Sequence, residues 1–215
     1  MSYLSLMIID PSIAHPEIDS YNKIVTQSPV RCSYHLPAMV DSKSMKKELT
    51  RSCGIIIFGS AASVNDENEW QNPLREIIDN AITKDMPLLG ICYGHQLLAH
   101  HFGGKVDYLW NKQQKKGIRS VHFKSNNLIK TDTTFDLIHA HQEGAINCPK
   151  DFKISAESKE VKIEGIAHKT KAIWGFQTHI EASWSFAKRQ NISNVDYKKV
   201  DENGTRIIRE FFNYL

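Results

Sequence analysis

Short apolar runs alternate with amphipathic or polar stretches through the first half of the chain. Leu4–Ile9 predicts a first strand, stopped by Asp10-Pro11; a helix near Ile18–Thr26 and an extended piece over Val30–Leu36 follow. Asp41–Arg51 has a helical pattern with Asp41 or Ser42 as its N-cap, and the β-branched run Gly54–Phe58 predicts a buried strand. Over Glu67–Thr83, Trp70, Leu74, Ile77, Ile78 and Ala81 share one helical face, although Pro73 leaves the start of that helix open. Pro87–Ile91 predicts another strand, followed almost at once by a helix over Gln96–His101 that stops at Gly103-Gly104. This strand–helix alternation predicts an α/β fold: a flavodoxin-like open sheet, mostly parallel, with helices on both faces.

The pattern changes after Lys105. Shorter extended pieces at Val106–Trp110, Gly117–Phe123, Leu128–Ile129, Lys153–Ala156 and Val161–Ala167 predict antiparallel strands added at an edge. Residues 172–176 predict a last strand, and Thr205–Leu215, after Asn203-Gly204, an amphipathic helix. Without repeats, low-complexity segments or linkers, the 215 residues are expected to form a single domain, 1–215.

Composition narrows the class without naming it. A hydrophobic content of 41% and a charged content of 24% fit an ordinary soluble globular protein. The net charge of +3 is scattered; its densest spot, Lys112–Lys116, lacks interleaved aromatic residues and predicts a solvated loop rather than a nucleic-acid surface. The apolar stretch at the start has no basic flank and ends early at Asp10, and no run reaches membrane-spanning length, so neither a membrane nor export is expected and the location expected is cytoplasmic. Cys32, Cys53, Cys92 and Cys148 lie far apart with no C-x-x-C spacing, which points to neither a zinc site nor a disulfide framework.

The chemistry is concentrated around Cys92. It falls in the turn between strand and helix, flanked by Gly90 and Gly94, which tolerate the backbone angles of a sharp turn. This is the layout of a nucleophile elbow, with Cys in place of Ser. A helix N-terminus favours thiolate over thiol, which matters because a free thiol titrates near ~8.5. A nucleophile needs a base, and the base an orienting group. His179 and Glu181, just beyond the last apolar strand, are the best candidates; two residues apart on extended chain, they project to one face if strand geometry persists to 181. The small-residue loop Gly59–Val64, after the Gly54–Phe58 strand, is suited to aim backbone N–H groups at a developing oxyanion.

Taken together, Gly-Ile-Cys-Tyr-Gly-His-Gln-Leu-Leu-Ala (90–99), Gly-Gly-Lys-Val (103–106), the loop at 59–64 and Gly-Phe-Gln-Thr-His-Ile-Glu (175–181) resemble the class I glutamine amidotransferases, in particular their stand-alone, GMP-synthase-like branch. His-Gln-Glu-Gly-Ala-Ile-Asn-Cys-Pro (141–149) resembles a further element of that family. The resemblance implies a Cys92–His179–Glu181 triad acting on the side-chain amide of glutamine through a thioester. It also implies an oxyanion hole from the backbone N–H groups of Ser60 and Tyr93, substrate contacts from Gly59 and Gln96, and no metal or organic cofactor. The sequence departs from the family pattern in places. Ile180 stands where His-Pro-Glu is common, Gly-Ser-Ala opens the loop at 59, Glu143 stands for Asp, and Gln114–Gly117 lacks an acidic residue before its glycine.

No ATP-binding signature accompanies these motifs: Gly104-Lys105 has Ala99 and Val106 where a P-loop needs Gly and Ser/Thr, and no Ser-Gly-Gly pyrophosphate loop occurs. The expected function is therefore a glutaminase that releases ammonia to an acceptor through a separate ATP-dependent synthase subunit. The alternative is a stand-alone γ-glutamyl hydrolase or peptidase using the same triad. A non-catalytic regulatory module is a third reading, against which the intact Cys, His and Glu speak.

Overall fold

The computed structural model describes residues 4–193 and 196–215. Its first half follows the strand–helix alternation of the sequence: β1 (Ser5–Ile9), α1 (Ile18–Val25), β2 (Arg31–His35), α2 (Lys43–Glu48), β3 (Ser52–Ile57), α3 (Gln71–Thr83), β4 (Leu88–Ile91) and α4 (Tyr93–His101). Five further strands come next: β5 (Lys105–Tyr108), β6 (Lys115–Phe123), β7 (Thr133–His141), β8 (Glu143–Asn147) and β9 (Phe152–Glu157). The chain ends with β10 (Gly165–His168), β11 (Ile173–Phe176), α5 (Trp184–Arg189) and α6 (Tyr197–Phe212).

Nine of these strands form one sheet in the order β2-β1-β3-β4-β11-β10-β9-β6-β7, while β5 and β8 pair separately. The first five are parallel to one another and repeat the 2-1-3-4-5 order of flavodoxin-like sheets. From β11 outward every pairing is antiparallel.

Strand residues alternate between two apolar layers, as a sheet buried on both faces requires. Leu6, Ile8, Ile56, Phe58, Leu89, Ile91, Trp174 and Phe176 pack on one side with Ile24 of α1 and Ile207, Ile208 and Phe211 of α6. Met7, Ile9, Ile55, Ile57, Leu88 and Ile173 pack on the other with Met45 of α2, Leu74, Ile77 and Ile78 of α3, and Leu97 and Leu98 of α4. Among the described residues, no helix is long and apolar enough to cross a membrane.

Several boundaries differ from the sequence reading, each for a local reason. Leu128–Ile129 is not a strand. Asn126 Oδ1 accepts from the N–H groups of Leu128 (2.8 Å) and Ile129 (3.1 Å), forming a side-chain-closed turn that tucks both apolar residues into the core. β7, β8 and α5 had no counterpart in the pattern; β7 buries His139 and His141 beside Leu137 and Ile138, so it lacks an all-apolar face. β10 starts at Gly165 rather than Val161. α2 is shorter than expected and its first N–H is served by Asp41, whose carboxylate accepts from Lys43 N–H at 2.9 Å. α3 starts at Gln71, which places Pro73 in its first turn, where a missing N–H costs nothing.

The largest shift is at α6, which starts at Tyr197 and passes straight through Asn203-Gly204. Asp196 caps it by accepting from Lys199 N–H at 3.2 Å. Gly204 is a packing residue here, since a Cβ would lie 2.2 Å from the Ile180 carbonyl oxygen. At α4 the expected stop holds: Gly103, at φ +84°, ends the helix in the left-handed region.

Candidate active site

The site sits at the C-terminal ends of the parallel strands. β4 runs directly into α4 through Cys92, whose φ of 50° and ψ of −100° lie far from the angles a non-glycine residue prefers. The cysteine N–H is tied to the Phe176 carbonyl of β11 at 2.8 Å. Gly90 and Gly94 serve this turn differently from the expectation. Neither has a positive φ; the strained conformation belongs to Cys92 itself. The glycines provide room instead: a Cβ on Gly90 would lie 2.4 Å from the Gly94 carbonyl oxygen, and one on Gly94 2.3 Å from that of Ile57. Helix and strands therefore approach to backbone contact, leaving Cys92 buried at the rim with its sulfur beside the cavity.

His179 and Glu181 meet, but not on extended chain. β11 ends at Phe176; His179 forms an isolated antiparallel bridge with Ile138, its N–H donating to the Ile138 carbonyl at 2.8 Å. The chain then turns, Ala182 N–H returning to the His179 carbonyl at 3.3 Å. The turn places His179 Nδ1 2.9 Å from Glu181 Oε1, with both side chains almost fully buried. The Cys92 side chain lies close enough to the same imidazole to act on it electrostatically. Burial alone would push the His179 pKa down, but its electrostatic and hydrogen-bonding interactions with Cys92 and Glu181 outweigh it and hold the pKa well above the ordinary histidine value. Phe186 packs against the ring with centroids 4.4 Å apart.

Gly59 makes this approach sterically allowed. A Cβ there would lie 2.7 Å from His179 Cε1 and 3.4 Å from Cys92 Cβ. Ser60 follows, its hydroxyl donating to the Pro11 carbonyl at 2.8 Å and accepting from Ala62 N–H at 3.1 Å, which stiffens the loop after β3. Gly59, Ser60, Cys92, Gln96, His179 and Glu181 all line one cavity of about 630 Å³. Tyr93 does not line it: its side chain is buried, its hydroxyl accepting from Gln71 at 3.0 Å, and its backbone N–H belongs to the first position of α4.

Residues 18–197 match the family described as glutamine amidotransferase class-I. The chain belongs to that family. It is 35% identical over 153 residues to a glutamine-hydrolysing GMP synthase of Mesoplasma florum, a match covering 70% of this chain and 28% of that protein. The chain thus spans little more than a quarter of the length of that relative. It shares 30% identity over 146 residues with one subunit of the glutamine-hydrolysing GMP synthase of Thermoplasma acidophilum, covering 68% of this chain and 70% of that subunit. A solved T. acidophilum structure, described as a subunit of a GMP synthase, covers the whole chain and 94% of its own, with a TM-score of 0.75 at 23% identity, which is a likeness of fold.

In this class-I amidotransferase the groups behind the cavity form a continuous hydrogen-bonded chain that the sequence reading did not single out. Gln177, fully buried, points its Nε2 at Cys92 Sγ (3.6 Å), and its Oε1 accepts from Gln96 Nε2 at 3.2 Å. The same Gln96 amide donates to the Glu143 carbonyl at 2.8 Å. That carbonyl also accepts from His141 Nδ1 at 2.8 Å, and His141 Nε2 accepts in turn from Arg119 Nη1 at 3.0 Å. Arg119 is paired with the buried Glu164 at 2.8 Å. Burial, with Arg119 nearby, pushes His141 down to about 3 and His139 to about 4, so both rings are neutral near pH 7. Gln177 was inside a motif quoted from the sequence, yet only its neighbours His179 and Glu181 carried a chemical signal there. Glu143, a departure from the family pattern, accepts from Ser63 at 2.7 Å across the cavity mouth, joining the loop after β3 to β8.

Proposed function

We propose that this chain is a glutaminase in which Cys92, His179 and Glu181 form the catalytic triad. The observation that carries the reading is the convergence of a strained elbow cysteine with a buried, carboxylate-paired histidine over one cavity. Cys92 Sγ attacks the side-chain amide carbon of glutamine, giving a tetrahedral oxyanion. The oxyanion collapses, the carbon–nitrogen bond breaks, and His179 delivers its proton to the departing ammonia, leaving a glutamyl thioester. Water then attacks the thioester while His179 accepts its proton, and glutamate leaves as the sulfur is freed. The raised His179 pKa supports a cationic imidazole at the start of this cycle, and Glu181 holds the ring in the tautomer that presents its other nitrogen to the sulfur. The backbone N–H groups of Ser60 and Tyr93 receive the oxyanion, that of Tyr93 being at a helix start, where no intrahelical acceptor exists. Gln96 spends both amide hydrogens on Glu143 and Gln177, leaving its Oε1 as an acceptor for the substrate.

The relatives named GMP synthase suggest the fate of the ammonia: transfer to an ATP-dependent synthase component, since these residues carry no ATP-binding motif. A second reading, a γ-glutamyl hydrolase, is favoured by one observation. The cavity runs past the sulfur to Ser12, His15, Glu17 and Arg189, beyond what a free amino acid fills. The test is to incubate the purified chain with glutamine, γ-glutamyl amides and γ-glutamyl peptides, with Cys92→Ala as control, and to measure glutamate and ammonia. Glutamine turnover that vanishes in Cys92→Ala is the expected result. Faster turnover of γ-glutamyl peptides selects the second reading, and no turnover of any, with no labelling of Cys92 by a glutamine-like electrophile, overturns both.

A further inference from the structure

The turn carrying His179 and Glu181 has little to hold it from within. Its own hydrogen bonds, Ile180 N–H to Thr178 O at 3.2 Å and Ala182 N–H to His179 O at 3.3 Å, are at or past the long end of the usual range. The family pattern often has a proline between these two residues, which fixes one backbone dihedral; this chain has Ile180.

Two helices from distant parts of the chain grip the turn from behind. Lys23 on α1 directs its ammonium at the Ile180 carbonyl (3.4 Å) and the Ala182 carbonyl (3.3 Å), contacts as long as the turn's own but made by a full positive charge, and pairs with Asp201 on α6 at 2.7 Å. An ammonium has three N–H donors, and these are three acceptors. The lysine side chain is only 12% exposed, so its position is set by packing as well as by charge. Tyr197 on α6 adds a hydroxyl bond to the Ala182 carbonyl at 2.9 Å, and Gly204 lets the helix backbone lie against the Ile180 carbonyl. The contacts that Lys23, Tyr197 and Gly204 make with the turn are all to its backbone carbonyls, so none depends on the side chains of His179 and Glu181.

We propose that Lys23, anchored by Asp201, is a positioning residue that holds the 179–182 turn in register, supplying from α1 and α6 the rigidity that a proline at 180 builds into the chain itself. The inference rests on the glutaminase reading for its kinetic arm only. Lys23→Met lowers kcat about tenfold per titratable Cys92 with KM within about twofold, because the imidazole drifts while the binding groups stay in place. In an Ile180→Pro background the same Lys23→Met change costs less than about twofold, since the turn no longer needs the clamp. An equal loss in both backgrounds, or a raised KM with kcat unchanged, overturns the proposal. Should Ile180→Pro fail to fold, Asp201→Asn takes its place: it lowers kcat about threefold and adds nothing to Lys23→Met, and a fully additive loss is the overturning result. NMR of the His179 ring in the substrate-free chain reads the same motion without turnover. Its signals broaden in Lys23→Met, and an unchanged ring spectrum overturns the proposal even if the chain hydrolyses nothing. An inert wild type with an unlabelled Cys92 breaks the glutaminase reading instead; an active wild type matched by Lys23→Met breaks only this one.

Discussion

The elbow at 88–101 and the turn at 177–182 face each other across one cavity, and they are held by different kinds of contact. In the elbow, strand, bend and helix are contiguous. The strained angles of Cys92 are enforced by the sheet on one side and by glycines at 90 and 94 that admit backbone within van der Waals distance. The turn has weak bonds of its own and takes its shape from elsewhere: β7 through Ile138, α1 through Lys23, and α6 through Tyr197 and Gly204. Strain can be stored where neighbouring backbone leaves no alternative, whereas a loosely bonded turn needs distant elements to choose its conformation. One half of the proposed triad is thus a local feature and the other an assembled one.

Substitutions in the two regions separate these two behaviours. The largest effect expected is from His179→Ala, which lowers glutamine turnover by about a thousandfold or more in protein that still folds, with a loss of urea-unfolding stability that traces to Glu181 left buried without its partner. Turnover near the wild-type rate would break the triad. Gly94→Ala reverses the pattern: its methyl must enter the 2.3 Å gap to the Ile57 carbonyl, so about 3 kcal/mol or more of stability is lost and little folded protein remains. Normal urea unfolding of that variant would break the account of the elbow. Gln177→Leu is intermediate; it removes the amide beside Cys92 Sγ and one partner of Gln96, and should cost about tenfold in turnover with stability nearly unchanged. A variant as active as wild type would leave Gln177 as packing alone.

The remaining effect is graded and depends on pH. His95 in α4 is held at about 4 by burial and His139 on β7 at about 4, so each stays neutral when folded but titrates near 6.5 when unfolded. The unfolded chain therefore binds more protons below about 6.5, and stability falls as pH drops from there toward about 4, by up to about 1.4 kcal/mol per pH unit for each ring. His179 works in the opposite sense: with its folded pKa raised, its contribution is full below about 6.5 and is lost as pH rises through the folded value. Urea unfolding at a series of pH values checks this, and His95→Leu should remove the share belonging to the elbow. A profile flat from neutral pH down to about pH 4.5 would contradict the neutral buried rings.

The strand and helix order of the parallel half was legible because buried parallel strands read as unbroken apolar runs and their helices as stripes. The antiparallel half was harder. β7 mixes Leu137 and Ile138 with His139 and His141, and its polar residues are buried in a network rather than exposed, so alternation does not show. α6 was cut short because Asn203-Gly204 looks like a helix stop. Only the contact of Gly204 with the Ile180 carbonyl explains a glycine within that helix. Among the candidate site residues, Cys92, His179 and Glu181 stood out because few residue types combine reactivity with that spacing. Gln177 and Lys23 did not, since a buried amide and a clamping ammonium have no signature until their partners are in place.

By itself the sequence determined the alternation of elements, the Gly-x-Cys-x-Gly elbow and the pairing of histidine with a carboxylate two residues on, all of which depend on neighbours within a few positions. Tertiary structure alone decided that Cys92 rather than the glycines bears the strained backbone, and that His179 and Glu181 meet through a turn rather than along a strand. It also decided that this turn is gripped by residues more than 150 positions before it and some 20 after it in the chain. The physical reason is range: backbone propensity and hydrophobic period act over a few residues, but close packing and hydrogen bonding act over a few ångströms, whatever the separation in sequence.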